Sequence, residues 1–456
     1  MVQKKLDRAA LPLASLALPM YLENLFRIAL SSVDVFMLSG YSNKAVAAVG
    51  LIGNFSFFLF ILYNVVASGS SILISQHLGA EQRKEANTAS LAAYVMGLLF
   101  AAVISTVLGL SAGKILTLYT LEDQVYVYAK QYLTIFAGGS VFLAFSIIQG
   151  MILRSYGYAK EAMFASMAAN VFNVFGNAVS IYGLFGLPVF GVPGVAVSTV
   201  LSQGISCLIV AVRIRKHEDI RIPWERIRDV PVEYFKKMFK VGVPTAGENL
   251  SYNMYQMVLT GLVAITGTAS LSANVYVLTI ARFVFMPALS MGYAVQIKAG
   301  YLAGARLYDE AKKRVFQYDL VGYGLSTFLV CLLYVLKKPI LGIFTSDPAV
   351  LHITYTLLFI VIFREICRVS NIIVIPALKG TGDVMFPVIV GIISQWTVGA
   401  GGAFLSLYVF DFGLAGIYWA MTADEGIRSL FMLLRWKSGA WTSKGLVSGG
   451  AESDST

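Results

Sequence analysis

The chain has 456 residues, of which 57% are hydrophobic and 13% charged, with a formal net charge of +10. Soluble domains carry about 25% charged residues, so this composition excludes a water-soluble globule and makes the bilayer the solvent. Its apolar runs far exceed the roughly ten-residue strands of a membrane barrel, and only helices or closed barrels pair every backbone N–H and C=O in lipid. The fold class is therefore an all-α polytopic membrane protein.

Reading from apolar run to turn predicts twelve transmembrane helices, near residues 10–39, 45–76, 87–113, 124–152, 162–186, 192–214, 238–265, 270–297, 315–336, 349–378, 385–409 and 413–435. The first span contains "PMYLENLFRIALSSVDVFMLSG". Pro19 is a place for the helix to bend. Glu23, Arg27 and Asp34 follow at i, i+4 and i+11, angular offsets of about 0°, 40° and 20°, so the three charges share one stripe. Glu23 and Arg27 are one turn apart and are expected to pair. Asp34 is left as a lone carboxyl in an apolar helix, which is costly unless it faces a cavity or a partner. Low dielectric disfavours a carboxylate's charged form, so such a group suits proton uptake and release; the plainer reading is a packed Asp bonded to Ser31, Ser32 or a neighbouring helix. Phe36 and Met37, with Phe55 and Phe58 of the second span, are candidates to line a cavity, since Met and aromatic surfaces suit promiscuous binding of organic cations.

The fifth span places Asn170, Asn173 and Asn177 on one stripe at i, i+3 and i+7. Membrane amides serve as helix–helix glue or as polar cavity lining. The basic linker "RIRKHEDIRIPWERIRDVPVEYFKKMFK" follows the sixth span and could also meet anionic membrane lipid. Further on, Arg282 lies in the eighth span, Arg364, Glu365 and Arg368 crowd the tenth, and Asp424, Glu425 and Arg428 sit in the twelfth. Spacings of i, i+3 or i+4 let five of these seven neutralise one another, which describes a structural cluster; the sharper alternative is an acceptor surface for an anionic group. Beyond residue 437, the polar end "SGGAESDST" reads as a disordered tail over 438–456.

Of the 35 Lys and Arg residues, only Lys44, Lys114, Lys337 and Lys338 fall on the loops opposite the N-terminus. The positive-inside bias then predicts that both termini are cytoplasmic, and the expected location is the plasma (inner) membrane. The net charge is explained by topology, without a nucleic-acid partner. The three cysteines and three histidines show no metal or disulfide spacing. No Walker motif is present to draw energy from ATP, and no pattern suggests catalysis, so neither enzyme activity nor a cofactor is expected.

A shift of 225 residues registers the two halves. Pro19, Glu23, Asn24 and Leu25 fall on Pro244, Glu248, Asn249 and Leu250; Gly79 and Glu85 fall on Gly304 and Glu310; Leu153, Arg154 and Gly157 fall on Leu378, Lys379 and Gly382. Two pseudo-symmetric six-helix bundles follow, with an N-terminal lobe at 1–215, a cytoplasmic linker at 216–235 and a C-terminal lobe at 236–437. A parallel duplication of this kind places a substrate site at the repeat interface near the midplane. Asp34 falls on Leu259, so its carboxyl is not shared by both copies, which favours function over scaffolding. Arg27 falls on Tyr252, so Glu248 is expected to lack a local partner and to be solvated or proton-binding.

The first-span motif, "GAEQRKEA", "LRSYGYAKEAMF", "NVFNVFGN" and "LKGTGDVMF" resemble the multidrug and toxic compound extrusion (MATE) transporters over about residues 8–437. The resemblance implies twelve helices in two lobes and antiport of organic, mostly cationic compounds against H⁺ or Na⁺ by alternating access. It matches Asp34 to the family's first-helix acid, Asn173 and Asn177 to a fifth-helix pair, and Thr199 to a sixth-helix hydroxyl near the same pocket. Asn177 stands where many members have Asp, which tilts the coupling ion to H⁺. Arg368 stands where some branches have a tenth-helix acid. The expectation is a monomeric multidrug exporter with Asp34 as protonation switch. The rivals are a lipid-linked saccharide flippase of the same superfamily, with anionic headgroups on the second-lobe arginines, and a channel or receptor.

Overall fold

The computed structural model describes residues 10–447. Twelve long helices run α1 Leu13–Tyr41, α2 Asn43–Gly79, α3 Arg83–Leu116, α4 Asp123–Ser155, α5 Ala159–Tyr182, α6 Gly191–Lys216, α7 Val232–Ile265, α8 Thr268–Gly304, α9 Tyr308–Val335, α10 Pro348–Thr381, α11 Met385–Tyr408 and α12 Gly413–Ser438. No strand occurs among the described residues. By length and composition alone, nine of these helices can cross a membrane. The other three, α7, α10 and α12, carry Glu248, the Arg364–Arg368 group and the Asp424–Arg428 group. Charges on such helices are tolerated only when they meet partners inside the protein.

The chain divides into two compact units. One comprises residues 19–74 and 82–242, and the other 10–18, 75–81 and 243–447 of the described residues. This differs from the expected lobes in where the helices change sides. α1 passes from one unit to the other at Pro19, and α7 does so just before Pro244, its repeat mate. The linker through residue 242 belongs with the N-terminal unit, where Trp224 packs edge-on against Tyr94 at 5.1 Å and the Phe239 ring lies tilted against Phe100 at 5.6 Å.

In the N-terminal unit α4 packs against α3 and α6, and α5 against α6, around a core that includes Ile52, Tyr63, Leu133, Phe136 and Val192. In the C-terminal unit α10 packs against α8, α9 and α12, around a core that includes Tyr255, Val277, Leu357, Val361 and Tyr418. The repeat makes α4 and α10 equivalent, and each ends in the same way. Gly157 N–H bonds Arg154 O at 3.0 Å and Tyr158 N–H bonds Leu153 O at 2.9 Å; Gly382 N–H bonds Lys379 O at 2.9 Å and Asp383 N–H bonds Leu378 O at 3.0 Å. This pairing is the Schellman stop, which wants a left-handed residue at its turn. Gly157 at φ 95° and Gly382 at φ 100° supply it.

Residues 438–447, expected to belong to a disordered tail, are ordered. Trp441 is 1% exposed and stacks on Trp436 at 4.3 Å, and Leu446 N–H donates to Gln76 Oε1 at 2.8 Å. Apolar burial of an indole outweighs the polar composition of the segment around it. Residues 448–456 lie outside the described residues.

Candidate functional site

The site forms where α1, α5 and α6 bring polar groups together in the N-terminal unit. Asp34 is half-buried and accepts a hydrogen bond from Asn177 Nδ2 at 3.0 Å. Asn177, 2% exposed, is also 3.4 Å from Asn173 Oδ1. Asn173 Nδ2 donates to Thr199 Oγ1 at 3.2 Å, and the Tyr132 hydroxyl lies 3.3 Å from the same oxygen. Helical geometry explains the convergence: Asn173 and Asn177 are one turn apart on α5 and face the same way. Asn177 Oδ1 is buried with no hydrogen-bond partner. An unsatisfied buried acceptor is costly, and this one sits on the amide that already holds Asp34.

The other first-half candidates separate. Asn170 Nδ2 turns back to Ser166 O at 2.9 Å and is not part of the chain of bonds. Met37 is buried in the unit's core, and Phe55 packs against that core and edge-on to Tyr119 at 6.4 Å. Phe36 is 75% exposed. Pro19 lies inside the continuous α1.

The expected Glu23–Arg27 pair does not form. Arg27 is exposed and donates to Asn24 Oδ1 at 2.8 Å. Glu23 instead receives Arg154 of α4, at 2.8 Å to Oε1 and 2.7 Å to Oε2. Nor is Glu248 without a partner: Lys379 Nζ of α10 donates to its Oε2. Adding 225 to positions 23 and 154 gives 248 and 379, so one ion pair is built twice. The signal was present in the sequence, where an acid and a base recur at the same shift; the i, i+4 spacing of Glu23 and Arg27 concealed it.

In the C-terminal unit α10 and α12 share a buried charge network. Arg428 Nη2 lies 2.7 Å from Asp424 Oδ2 and 3.1 Å from Glu425 Oε2. Arg364 Nη2 reaches Glu365 Oε1 at 3.2 Å, while Arg368 is 3.5 Å from Glu365 and 3.7 Å from Glu425. Asn371 Nδ2 donates to Glu425 Oε2 at 2.8 Å, and Ser394 Oγ donates to Asp424 Oδ1 at 2.6 Å. Three cations face three anions. Arg282 is outside the network: it is exposed on α8, and no ion pair involves it among the described residues. Sequence reasoning also passed over Asp319 of α9 and the π-helical segment Gln395–Gly401 within α11. Among the described residues no three His, Cys, Asp or Glu side chains converge as metal ligands.

The MatE family model matches twice along the chain, over residues 19–179 and 244–405, one copy in each repeat. The chain belongs to the MatE family. It is thus an integral membrane transporter and not an enzyme. An uncharacterized transporter, YisQ of Bacillus subtilis, is 33% identical over 95% of this chain and 96% of its own. A probable multidrug resistance protein NorM of Thermotoga maritima is 26% identical over 95% and 94%. Among solved structures, MATE in the bent conformation has a TM-score of 0.87 at 18% identity, covering 95% of this chain and 96% of that one. A MOP-superfamily transporter from Pyrococcus furiosus, described as having a binding pocket of reversed polarity, has a TM-score of 0.85 at 19% identity over 95% and 96%. These likenesses establish the fold of twelve helices in two lobes.

Proposed function

We propose that the protein is a secondary antiporter that exports organic, mostly cationic compounds in exchange for H⁺, with Asp34 as the coupling group. The observation that carries this reading is the bond from Asn177 to Asp34, at 3.0 Å. As a carboxylate, Asp34 accepts from the Asn177 amide. As a neutral acid it donates instead, and Asn177 Oδ1, which lacks a partner, is the acceptor for that proton once the amide rotates. The change passes from Asn177 to Asn173, Thr199 and Tyr132, so one proton alters the bonds between α1, α4, α5 and α6. Coupling requires that proton and substrate compete for the site or favour opposite conformations.

The relatives named as multidrug resistance proteins support small organic compounds as cargo. The second-lobe arginines favour this over an anion-carrying flippase, because Arg364, Arg368 and Arg428 are already engaged with Glu365, Glu425 and Asp424. The Lys and Arg distribution supports cytoplasmic termini in the plasma membrane. One chain supplies both repeats, which supports a monomer. The test is uptake of a fluorescent organic cation into proteoliposomes under separately imposed pH and Na⁺ gradients. Uptake driven by the pH gradient is expected; uptake driven by Na⁺ alone overturns H⁺ coupling.

A further inference from the structure

Among the described residues, Glu365, Asp383, Asp424 and Glu425 are buried carboxyls held by arginines, and one further buried carboxyl has no ion pair. Asp319 of α9 is 3% exposed and lies eleven residues into the helix, about 16 Å along its axis. Ser370 of α10 donates to its Oδ2 at 2.9 Å, and its Oδ1 has no hydrogen-bond partner.

No cation among the described residues neutralises it. On α8, Lys298 is bonded to Leu11 O and lies over the Tyr318 ring, and Arg282 is exposed. On α9, Arg314 holds Glu310 at 2.6 Å. On α10, Arg364 and Arg368 face the acids of α10 and α12, and Lys379 faces Glu248. A bare carboxylate with one donor in such a place is strongly disfavoured. A bound proton removes that charge.

A path to the carboxyl is also present. The Tyr323 hydroxyl, one turn further along α9, lies 2.8 Å from Ser370 Oγ. Tyr323 is half-buried, whereas Ser370 is fully buried. The three groups form a line from a partly exposed phenol, through a serine that both accepts and donates, to the carboxyl. The repeat gives this line no counterpart: positions 319 and 370 fall on Tyr94 and Phe145 of the first half. A carboxyl required by the fold would be expected in both halves, and Asp34 is unmatched in the same way.

We propose that Asp319 is a proton-binding site of the C-terminal unit, filled through Tyr323 and Ser370. A proton added to the Tyr323 oxygen displaces the phenol's own proton onto Ser370 Oγ. Serine's proton then passes to Asp319 Oδ2. One O–H bond breaks and one forms at each hydroxyl, and the net change is a new O–H bond on Asp319 with no electron transferred. The hydrogen bonds then run the other way, from Asp319 to Ser370 to Tyr323, and release reverses them. The site stands whether or not Asp34 couples transport.

The test is infrared spectroscopy of the lipid-reconstituted protein, titrated from acid to alkaline pH in an Asp34→Asn background. The expected result is a protonated-carboxyl C=O band that disappears on alkalinisation and is absent from the further variant Asp319→Asn. Tyr323→Phe should delay the band's response to a pH jump while leaving its amplitude. Absence of any band assignable to Asp319 overturns the site, and a band that never titrates overturns its role as a proton carrier. If Asp319→Asn does not fold, Ser370→Ala replaces it. Loss of the serine hydroxyl should shift the band's frequency, and an unshifted band overturns the assignment.

Discussion

Arg154 Nη2 lies 2.7 Å from Glu23 Oε2, and 225 residues later Lys379 repeats the contact with Glu248. In both units the base sits at the end of a central helix, just before the glycine stop, and ties that helix to the acid four residues after the proline of α1 or α7. The doubled pair is a product of the repeat and belongs to the fold. Neutralising one member should cost about 2 kcal/mol. Glu23→Gln and Arg154→Gln are each expected to lower thermal stability in detergent, with a double mutant less destabilised than the sum. Additive losses would show that the two residues do not act as a pair.

Removing Arg428 leaves Asp424 and Glu425 buried without their principal cation. Arg428→Met is expected to destabilise by roughly 3–5 kcal/mol, the usual penalty for breaking a buried pair from one side. Arg282→Gln, at an exposed position outside the network, should leave the melting temperature unchanged. Both are read by thermal unfolding of the purified protein.

The close crossing of α2 and α8 makes another prediction. A Cβ on Gly79 would collide with the Tyr301 carbonyl oxygen, and one on Gly304 would collide with that of Gln76. These positions are repeat mates, and the obstruction in each case is backbone, which cannot turn aside. Gly79→Ala and Gly304→Ala should each cost about 1–3 kcal/mol, measured by loss of folded protein on heating. A tolerated alanine at either position would contradict the close approach.

Much of this was legible in the sequence. The twelve helices were, because apolar runs too long for barrel strands can satisfy their backbone in lipid only as helices. The repeat was, because matched prolines, glycines and acids recur at one spacing. The Asp34–Asn177 contact was foreshadowed by the polar stripe on α5. Partner choice was harder to read. Glu23 has Arg27 one turn away and Arg154 on another helix, and only packing shows that Arg27 turns outward to Asn24 while α4 delivers Arg154. Met37 and Phe55 are near Asp34 in sequence or in neighbouring spans, yet both face the core. Asp319 was overlooked because "YDEAKKRVFQYDL" reads as the polar start of a span, whereas the helix carries that residue well inside.

Asn177 should matter to transport more than to folding. Asn177→Leu removes the donor to Asp34 and the free acceptor beside it. A hydrogen bond to a charged group is worth about 1.5–3 kcal/mol, so substrate efflux should fall roughly tenfold or more while the protein remains folded. Initial rates of cation efflux against a fixed pH gradient measure this.

The most direct test is the effect of Asp34→Asn on gradient-driven accumulation in proteoliposomes. The variant is expected to fold, because the amide oxygen it introduces can still accept from Asn177, but to accumulate no organic cation when a proton gradient is imposed. Accumulation at the wild-type rate would contradict the role given to Asp34.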